Sequence, residues 1–378
     1  MYNIALVRSR YDPFGGAERF VENALHALGA EGVRLTVIAR SWAQQGATNS
    51  GAEVLIVDPF YLGSVWRDRQ FARAVREAIA LRKFDLVQSH ERIAGCDIYR
   101  AGDGVHAEWL AQRRSAAGPL ARLGIALNPH HRYLLEAERA LFTHAKLRAV
   151  ICNSRMVMQE IRTHFGTAEE KLALIYNAVD STKYHPGLRT ELRDATRDAL
   201  GIPRDSLVFL FVGSGFERKG LNVFLRAVAA QGNAAHAIVV GKDKRLSSSR
   251  ALAAALGIGG RTHFTGGVKD VRRYYAAADV FGLPTLYDPF PNAVLEAMAC
   301  GLPVAVSTKC GAAELVVEGE NGFVTDALDV AAHAAALRAC AAQGASIGAA
   351  ARATVLRMTP SRMAAEYLAL YRRLLRAT

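Results

Sequence analysis

The segment DVFGLPTLYDPFPNAVLEAMACGLPVAVS, residues 279–307, contains in order an apolar run, a polar loop, a helical segment and a second apolar run. Pro291 and Asn292 mark the start of the helical segment, because proline is favoured at the first position of a helix. Short runs rich in Val, Leu and Ile that alternate with helices are typical of parallel strands covered on both faces. The segment therefore predicts a strand–helix–strand unit of a parallel sheet.

The same alternation extends over the whole chain of 378 residues, in two series. The predicted strands of the first series are 3–7, 34–39, 85–89, 97–100, 148–152 and 172–176. Those of the second series are 207–213, 237–241, 262–265, 279–283 and 303–307. Because the second series restarts the pattern after a polar, turn-rich stretch, the sequence predicts two doubly wound α/β domains joined near residues 180–200. Ligands of such folds bind at the carboxyl ends of the strands, so we expect the site in a cleft between the domains.

The composition narrows the function classes. Hydrophobic residues make up 51% of the chain, which excludes a disordered protein, and 47 Lys and Arg against 35 Asp and Glu leave a formal charge of +12. That excess favours a polyanionic partner: a nucleic acid, an anionic lipid surface or a phosphorylated substrate. The five cysteines form no CxxC pair, so inert thiols in a reducing compartment are expected. No signal-peptide core and no run of roughly 20 apolar residues is present, so we expect a cytosolic protein.

A glycine-containing loop follows the first predicted strand of each series. In the first loop, DPFGGAER at 12–19, Gly15 and Gly16 would let backbone N–H groups approach a phosphate at the start of a helix. An ordinary tight turn that leads into a helix has the same pattern. In the second loop, GSGFERKG at 213–220, Arg218 and Lys219 stand at the carboxyl end of a strand. Two adjacent cations in that position suit a diphosphate better than they suit a solvated turn.

Glu296 is the one charged residue in the helical segment NAVLEAMA. A carboxylate among small and apolar side chains must find hydrogen-bond donors or stay exposed, and the diol of a ribose offers two donors. Asp288 lies in the loop just before this helix, so both carboxylates can border one pocket. We therefore interpret Glu296 as a ligand-binding residue. The alternative, in which it faces water on an amphipathic helix, fits the apolar flanking residues poorly.

Together these motifs resemble those of the family 4 glycosyltransferases, whose GT-B architecture has two Rossmann-like domains facing across a cleft. The resemblance rests on Gly15-Gly16 with Glu18, on ERKG at 217–220, and on the stretches DPFPNAVLEAMACGLPVAVS and CGAAELVVEGENGFV. It covers essentially the whole chain. Within the family, the order of FGG, SHERIAGCDIYRAGDGVHAEW, ERKG and DPFPN is most similar to the transferases that add the first glucose to the inner-core heptose of lipopolysaccharide.

The resemblance implies a domain organisation. We expect an acceptor-binding domain over 1–180, a nucleotide-sugar-binding domain over 181–360, and a C-terminal helix over 361–378 that packs back on the first domain. The substrate-binding residues that the resemblance implies, besides Glu296, are Gly15, Gly16, Glu18, Val268, Lys269, Phe290, Pro291 and Asn292. Of these, the loop with Val268 and Lys269 is similar to the segment that lines the base pocket.

The resemblance also implies roles for the charged residues. Arg218 and Lys219 would hold the diphosphate, Glu296 would bind the ribose hydroxyls, and Asp288 stands where the family has a glutamate close to the donor sugar. We expect a retaining transfer that needs no metal and no cofactor, since the two cations supply the charge that a leaving diphosphate requires. The donor, which we expect to be UDP-glucose, is a substrate.

Two residues are candidates on the acceptor side. Asp103, in the sequence AGDGVH, matches an acidic position in the resembled transferases and is expected to orient the acceptor hydroxyl. His106 follows in the same stretch and is the second candidate, with a structural role as its alternative, because a lone histidine is more often structural.

Residues 109–135, WLAQRRSAAGPLARLGIALNPHHRYLL, hold four arginines among apolar residues and no acidic residue. Such a segment suits an anionic bilayer surface, and a solvated helix–loop is the alternative. The C-terminal helix has similar chemistry but is interpreted as structural. We expect a protein attached peripherally to the cytoplasmic face of the inner membrane, with a lipid-linked saccharide as its acceptor.

Three other functions remain open at this point. A sugar-nucleotide epimerase or hydrolase on the same fold would form a product without an acceptor. Another family 4 transferase would use a GDP-sugar. A nucleic-acid-binding protein would explain the positive charge, but the sequence has no helix–turn–helix or RNP-like motif, so no nucleic-acid partner is expected.

Overall fold

The structure is a computed structural model that describes residues 2–11, 34–42 and 53–376. The chain forms two compact units: the first comprises Met1–Asn177 and Pro360–Thr378, and the second comprises Ala178–Thr359. The boundary after Asn177 lies close to the one expected at residue 180, and the C-terminal helix belongs to the first unit. No helix in the described part of the chain is both long and apolar enough to cross a membrane.

The first unit contains a parallel sheet in which β1 and β4 are neighbours at the centre. Its strands among the described residues are β1 Asn3–Tyr11, β2 Arg34–Trp42, β3 Glu53–Ile56, β4 Leu86–Ser89, β5 Ile98–Arg100, β6 Ala149–Cys152 and β7 Leu172–Leu174. They lie in the order β3-β2-β1-β4-β5-β6-β7, and each neighbouring pair is parallel. Its helices there are α1 Gly63–Leu81, α2 His106–Ser115, α3 Pro119–Leu127, α4 Pro129–Phe142 and α5 Arg155–Phe165.

The second unit repeats this topology. Its strands are β8 Leu207–Val212, β9 Ala235–Val240, β10 Thr262–Gly266, β11 Val280–Leu283, β12 Val304–Ser307 and β13 Gly322–Thr325. They lie in the order β10-β9-β8-β11-β12-β13, all parallel. The helices are α6 Leu188–Leu200, α7 Leu221–Ala229, α8 Leu246–Ala255, α9 Arg272–Ala277, α10 Asn292–Ala299, α11 Val330–Ala342 and α12 Gly344–Val355. Two parallel, doubly wound sheets confirm the predicted fold class.

The central strands of both sheets are buried, as their Val-, Ile- and Leu-rich sequences require. In the second unit Asp279 ties β8 to β11, because its carboxylate accepts from the main-chain N–H of Val208 at 2.9 Å and from the fully buried Arg197 at 2.8 Å. A buried arginine is tolerated there because carbonyl oxygens take up its other donors. This arrangement holds together the two strands whose loops carry the predicted site.

The C-terminal helix, α13 Pro360–Arg376, packs on the first unit through two buried tyrosines. Tyr371 donates to Oε1 of Gln88 on β4 at 2.6 Å, and Tyr367 accepts from Nε of Arg100 on β5 at 3.0 Å. Buried tyrosines need such partners for their hydroxyl groups. The contacts attach α13 to the middle of the sheet.

All five cysteines are buried and free. Burial raises the pKa of each thiol to about 12. At neutral pH they are therefore protonated and unreactive, as expected from their scattered spacing.

Candidate functional site

The loop that follows β8 turns sharply at two glycines. Gly215 and Gly220 have φ values of 79° and 75°, which other residues rarely adopt. A Cβ atom on Gly220 would also overlap the carbonyl oxygen of Pro284, so glycine allows this loop to approach the loop that follows β11. Gly220 then serves as the N-cap of α7.

Hydrogen bonds fasten the two loops together. The main-chain carbonyl of Arg218 accepts from the N–H of Leu286 and from the hydroxyl of Thr285, both at 2.8 Å. On the other side, the N–H of Phe216 donates to the carboxylate of Asp243 at 2.8 Å. These bonds fix the backbone from which the side chains of Arg218 and Lys219 project.

Arg218 and Lys219 both reach the carboxylate of Asp288. The ammonium group of Lys219 contacts Oδ2 directly, and Nη1 of Arg218 lies 3.4 Å from the same oxygen. Burial raises the pKa of Asp288, but the two cations outweigh that effect and leave the pKa below its usual value. Two cations around one ionised carboxylate leave a net positive charge.

Lys219 and Arg218 differ in exposure. The residues Lys219 and Asp288 are only 8% and 5% exposed, whereas the side chain of Arg218 remains 37% exposed. The guanidinium can therefore contact an anion in solution while the buried ammonium acts electrostatically from beneath it. Without a ligand, Asp288 provides the counter-charge that burial of Lys219 requires.

The cluster lies where the strand order of the sheet reverses direction. The loop of Arg218 and Lys219 follows β8, and the loop of Asp288 follows its neighbour β11. In open α/β sheets this switch point at the carboxyl ends of the strands is where ligands bind. The sequence predicted both loops at strand ends, and the structure brings them into contact.

Glu296 lies half-buried on α10 and has a partner that the sequence did not indicate. The hydroxyl of Tyr275, a residue of α9 that is 1% exposed, lies 2.9 Å from its Oε2 atom. Burial and the neighbouring carboxylate raise the pKa of this tyrosine well above its usual value, so it stays protonated and donates. Nothing in the sequence RRYYAA distinguishes Tyr275 from Tyr274 as this donor.

The other residues expected at the donor site lie on loops of the same sheet edge. Phe290 and Pro291 are buried between Asp288 and α10, which Asn292 begins. The main-chain N–H of Phe290 donates to the carboxylate of Asp288 and helps to keep it ionised. Val268 is half-buried and Lys269 is exposed, in the loop after the carboxyl end of β10.

In the first unit, Asp103 is exposed on a turn after β5, while His106 is buried at the start of α2. Nε2 of His106 lies 3.1 Å from Nδ1 of His131, and burial, with a contribution from Arg92, lowers its pKa to about 3. The ring is therefore neutral at pH 7 and has a protein partner.

Arg92 and the buried Glu138 form an ion pair beside these residues that the sequence did not indicate. Nε of Arg92 donates to Oε1 of Glu138 at 2.9 Å, and the same carboxylate oxygen accepts from the main-chain N–H of His106 at 2.6 Å. The two residues come from distant parts of the chain, and no spacing in the sequence links them. Gly15, Gly16 and Glu18 lie outside the described residues.

Two known families match the chain. The family described as Glycosyltransferase Family 4 matches residues 14–183, and the family described as Glycosyl transferases group 1 matches residues 193–346. The first match contains strands β2 to β7 of the first sheet, and the second match contains strands β8 to β13 of the second sheet.

Individual proteins match over most of the chain. Lipopolysaccharide glucosyltransferase WaaG of Escherichia coli strain K12 is 27% identical over 85% of this chain and 84% of its own. Lipopolysaccharide core biosynthesis glycosyltransferase LpsE of Rhizobium meliloti is 26% identical over 85% of this chain and 84% of its own. The crystal structure of WaaG, a glycosyltransferase involved in lipopolysaccharide biosynthesis, superimposes with a TM-score of 0.82 at 25% identity, covering 96% of this chain and 98% of WaaG.

Proposed function

The chain belongs to the family 4 glycosyltransferases of GT-B architecture, and on that premise we propose that it transfers glucose from UDP-glucose to a lipid-linked oligosaccharide, the inner core of lipopolysaccharide. The observation that carries the proposal is the cluster of Arg218, Lys219 and Asp288 at the switch point of the second sheet. Similarity to WaaG and LpsE over most of their lengths supports the acceptor class.

The cluster suits the departure of a nucleoside diphosphate. Charge develops on the diphosphate as the bond to the sugar breaks, and cations that are already in place stabilise it without reorganisation. Arg218 is the exposed donor and Lys219 the buried one, so they can act in place of a divalent metal. We propose that the reaction retains the anomeric configuration and that Asp288 orients the two cations for it.

Glu296 suits the ribose of the donor. A carboxylate can accept hydrogen bonds from two neighbouring hydroxyls. The hydroxyl of Tyr275 donates to Oε2 of Glu296 and so orients this carboxylate. The loop of Val268 and Lys269 would border the base, and the segment from Phe290 to Asn292 would contact the sugar. On the acceptor side we assign the hydroxyl-orienting role to the exposed Asp103. His106 is buried and its ring has His131 as a partner, so we assign it a structural role.

We further propose that the first unit attaches peripherally to the cytoplasmic face of the inner membrane through residues 109–135. Three leucines of α3 point away from the core: Leu120, Leu123 and Leu127 are 88%, 57% and 69% exposed. Their spacing puts them on one face of the helix, and Arg114 and Arg122 are exposed beside them. Exposed leucines next to arginines are typical of a helix that lies on an anionic bilayer.

The test is transfer by the purified protein to detergent-dispersed lipopolysaccharide that ends at the inner-core heptoses. We expect a product that is one hexose heavier with UDP-glucose and none with GDP-mannose, and an α-linkage by NMR. Free hexose or an epimerised nucleotide sugar formed in the absence of lipopolysaccharide would indicate the hydrolase or the epimerase instead. Transfer from the GDP-sugar alone would contradict the assigned donor.

A further inference from the structure

A groove in the first unit lies between α1 and α4 and has a volume of about 430 Å³. Its charged and aromatic lining residues, which we call the arginine groove, are Arg69, Arg73, Arg76, Arg92, Tyr133 and Glu136. Four guanidinium groups thus face a single carboxylate, and the remaining lining residues are small or uncharged. None of the roles proposed above uses this groove.

Three of the arginines form a stripe along α1. Arg69, Arg73 and Arg76 are spaced one helical turn apart, so their like charges destabilise the helix. Nε of Arg73 lies 2.7 Å from Oε1 of Glu77, which offsets its charge. Nη2 of Arg69 lies 4.0 Å from Oε2 of Glu136. Arg76 has no carboxylate within ion-pair distance in the part of the chain that the structure describes. A bound anion would offset this repulsion.

Arg92 connects the groove to the carboxyl edge of the sheet. It follows β4 and is held by Glu138 at 2.9 Å and by the carbonyl of Gly104 at 3.1 Å. Gly104 adjoins Asp103, to which we assigned the acceptor hydroxyl. A smaller cavity of about 50 Å³ is lined by Arg92 and Ser9, and Ser9 is near the carboxyl end of β1. The groove therefore adjoins the edge where this unit would bind its ligand.

The chemistry of the groove identifies the kind of ligand. Guanidinium groups bind phosphate and carboxylate in a bidentate manner, and a volume of a few hundred Å³ holds a sugar ring with its substituents. The half-buried Tyr133 lines the same groove, and the guanidinium of Arg69 lies over its ring, 5.3 Å from the centroid. The exposed leucines that suit a bilayer lie on α3, and none of them lines the groove. A concave site without exposed large apolar residues favours a saccharide over a lipid surface.

We infer that the arginine groove binds the phosphate or carboxylate groups of an anionic saccharide acceptor and so positions it against the first unit. The inference rests on the proposed function, whose acceptor it makes anionic. Arg73 and Arg76 are its exposed contacts, and Arg92, whose side chain is 14% exposed, is the more deeply placed one. Binding through these residues should weaken as salt concentration rises.

The test is calorimetry with glucose 1,6-bisphosphate on protein saturated with UDP, so that the diphosphate site of the second unit is occupied. We expect binding of the bisphosphate and none of glucose, and at least tenfold weaker binding by the variant R73Q/R76Q. The matched control R139Q/R162Q removes two exposed arginines of the same unit that do not line the groove, and should bind within twofold of the wild type.

Absence of bisphosphate binding, equal binding by R73Q/R76Q, or an equal loss in the control would overturn the inference. A second arm measures co-sedimentation with phosphatidylglycerol vesicles. If R73Q/R76Q no longer sediments with the vesicles but binds the bisphosphate normally, the groove binds lipid headgroups and the inference is wrong. Because the calorimetry needs no transfer, a protein that binds the bisphosphate but transfers no hexose would contradict only the proposed function.

Discussion

The hydroxyl of Tyr275 donates a 2.9 Å hydrogen bond to Oε2 of Glu296, and it does so from a site that is 1% exposed. The donor is rigid, because the Tyr275 ring packs edge-to-face on Tyr184 at 5.9 Å and close to Phe281. One carboxylate oxygen of Glu296 is thereby oriented before any ligand arrives. Tyr275 is thus a positioning residue for the nucleotide site proposed around Glu296.

Tyr275→Phe removes this hydrogen bond and keeps the packing of the ring. A hydrogen bond of this kind contributes about 0.5–1.5 kcal/mol, so we expect UDP to bind roughly three- to tenfold more weakly, measured by calorimetry. Tyr274→Phe is the matched control, since Tyr274 is the adjacent buried tyrosine of α9. Unchanged UDP affinity in Tyr275→Phe would mean that the carboxylate needs no such support.

Glu296→Gln tests the carboxylate itself. The amide keeps the volume but loses a charge-assisted acceptor, so we expect about tenfold weaker binding of UDP and an unchanged melting temperature. Glu191→Gln, an exposed position on α6, controls for the loss of one negative charge in the same unit. UDP affinity equal to that of the wild type would make Glu296 a structural residue and place the ribose elsewhere.

Lys219→Ala and Arg218→Ala should separate stability from turnover. Either change removes a cation from the site proposed for the leaving diphosphate, and we expect turnover to fall by about two orders of magnitude or more. Only Lys219→Ala leaves the 5%-exposed Asp288 without its closest partner, so it should also lose about 3–5 kcal/mol of unfolding free energy.

The double variant Lys219→Ala with Asp288→Asn provides the control for that comparison. It removes the unpaired carboxylate, so thermal unfolding should recover most of the lost stability while turnover stays low. Recovery of turnover together with stability would show that Lys219 acts only on the fold.

The lowered pKa of Asp288 makes the free energy of unfolding depend on pH. Because its pKa is depressed in the folded protein, its stabilising contribution is present above the unfolded value of about 3.9 and is lost as pH falls through the folded value. In urea titrations from pH 5 down to pH 2, Asp288→Asn should flatten this acid-induced loss. An identical slope in the variant would show that the Lys219 pair adds nothing to stability.

His106 also makes the free energy of unfolding depend on pH, but as a base that gains a positive charge on protonation. Burial lowers its pKa to about 3, so between pH 6.5 and that value the unfolded chain binds a proton that the folded one does not. We expect the free energy of unfolding to fall by roughly 1.4 kcal/mol per pH unit on acidification from this residue alone. His106→Gln should reduce that slope in urea titrations, and a slope that stays the same would refute a buried neutral imidazole.

The sequence predicted most of the fold because buried parallel strands are short apolar runs, as at 207–213 and 303–307. It missed the edge strands β3 and β13, whose sequences EVLI and GFVT are short and partly exposed. Edge strands face solvent and need no continuous apolar run. Some strands are longer than predicted because they continue past their apolar residues, as β1 does to Tyr11.

The site was only partly predictable for a different reason. Arg218, Lys219, Asp288 and Glu296 stand in recognisable motifs, but the ion pair between Lys219 and Asp288 joins residues 69 positions apart, and spacing alone shows no such contact. Tyr275 and Arg92 act through tertiary contacts, and their sequence neighbours give no signal. Motifs thus identify candidate ligand-binding residues, whereas the residues that orient them become visible only after folding.

The last prediction concerns attachment to a membrane. Arg114, Arg122 and Arg132 are exposed and can contact an anionic surface, and Nε of Arg122 also donates to the carbonyl of Arg114 at 3.0 Å. Arg113 is half-buried and lies 3.3 Å from His131. Each of the exposed arginines contributes roughly 1 kcal/mol near such a surface, and the contribution is screened by salt. At low salt, the variant R114Q/R122Q/R132Q should therefore have an affinity for phosphatidylglycerol vesicles about 100-fold below that of the wild type in co-sedimentation, and it should bind UDP normally.

L120Q/L123Q/L127Q should lose the part of vesicle binding that persists at high salt, since burial of leucines does not depend on screening. The matched control is R372Q/R373Q/R376Q on α13, which removes the same charge from exposed positions. If this control leaves the vesicles and the α2–α4 variants do not, the contact lies on α13 and the assignment of residues 109–135 is wrong.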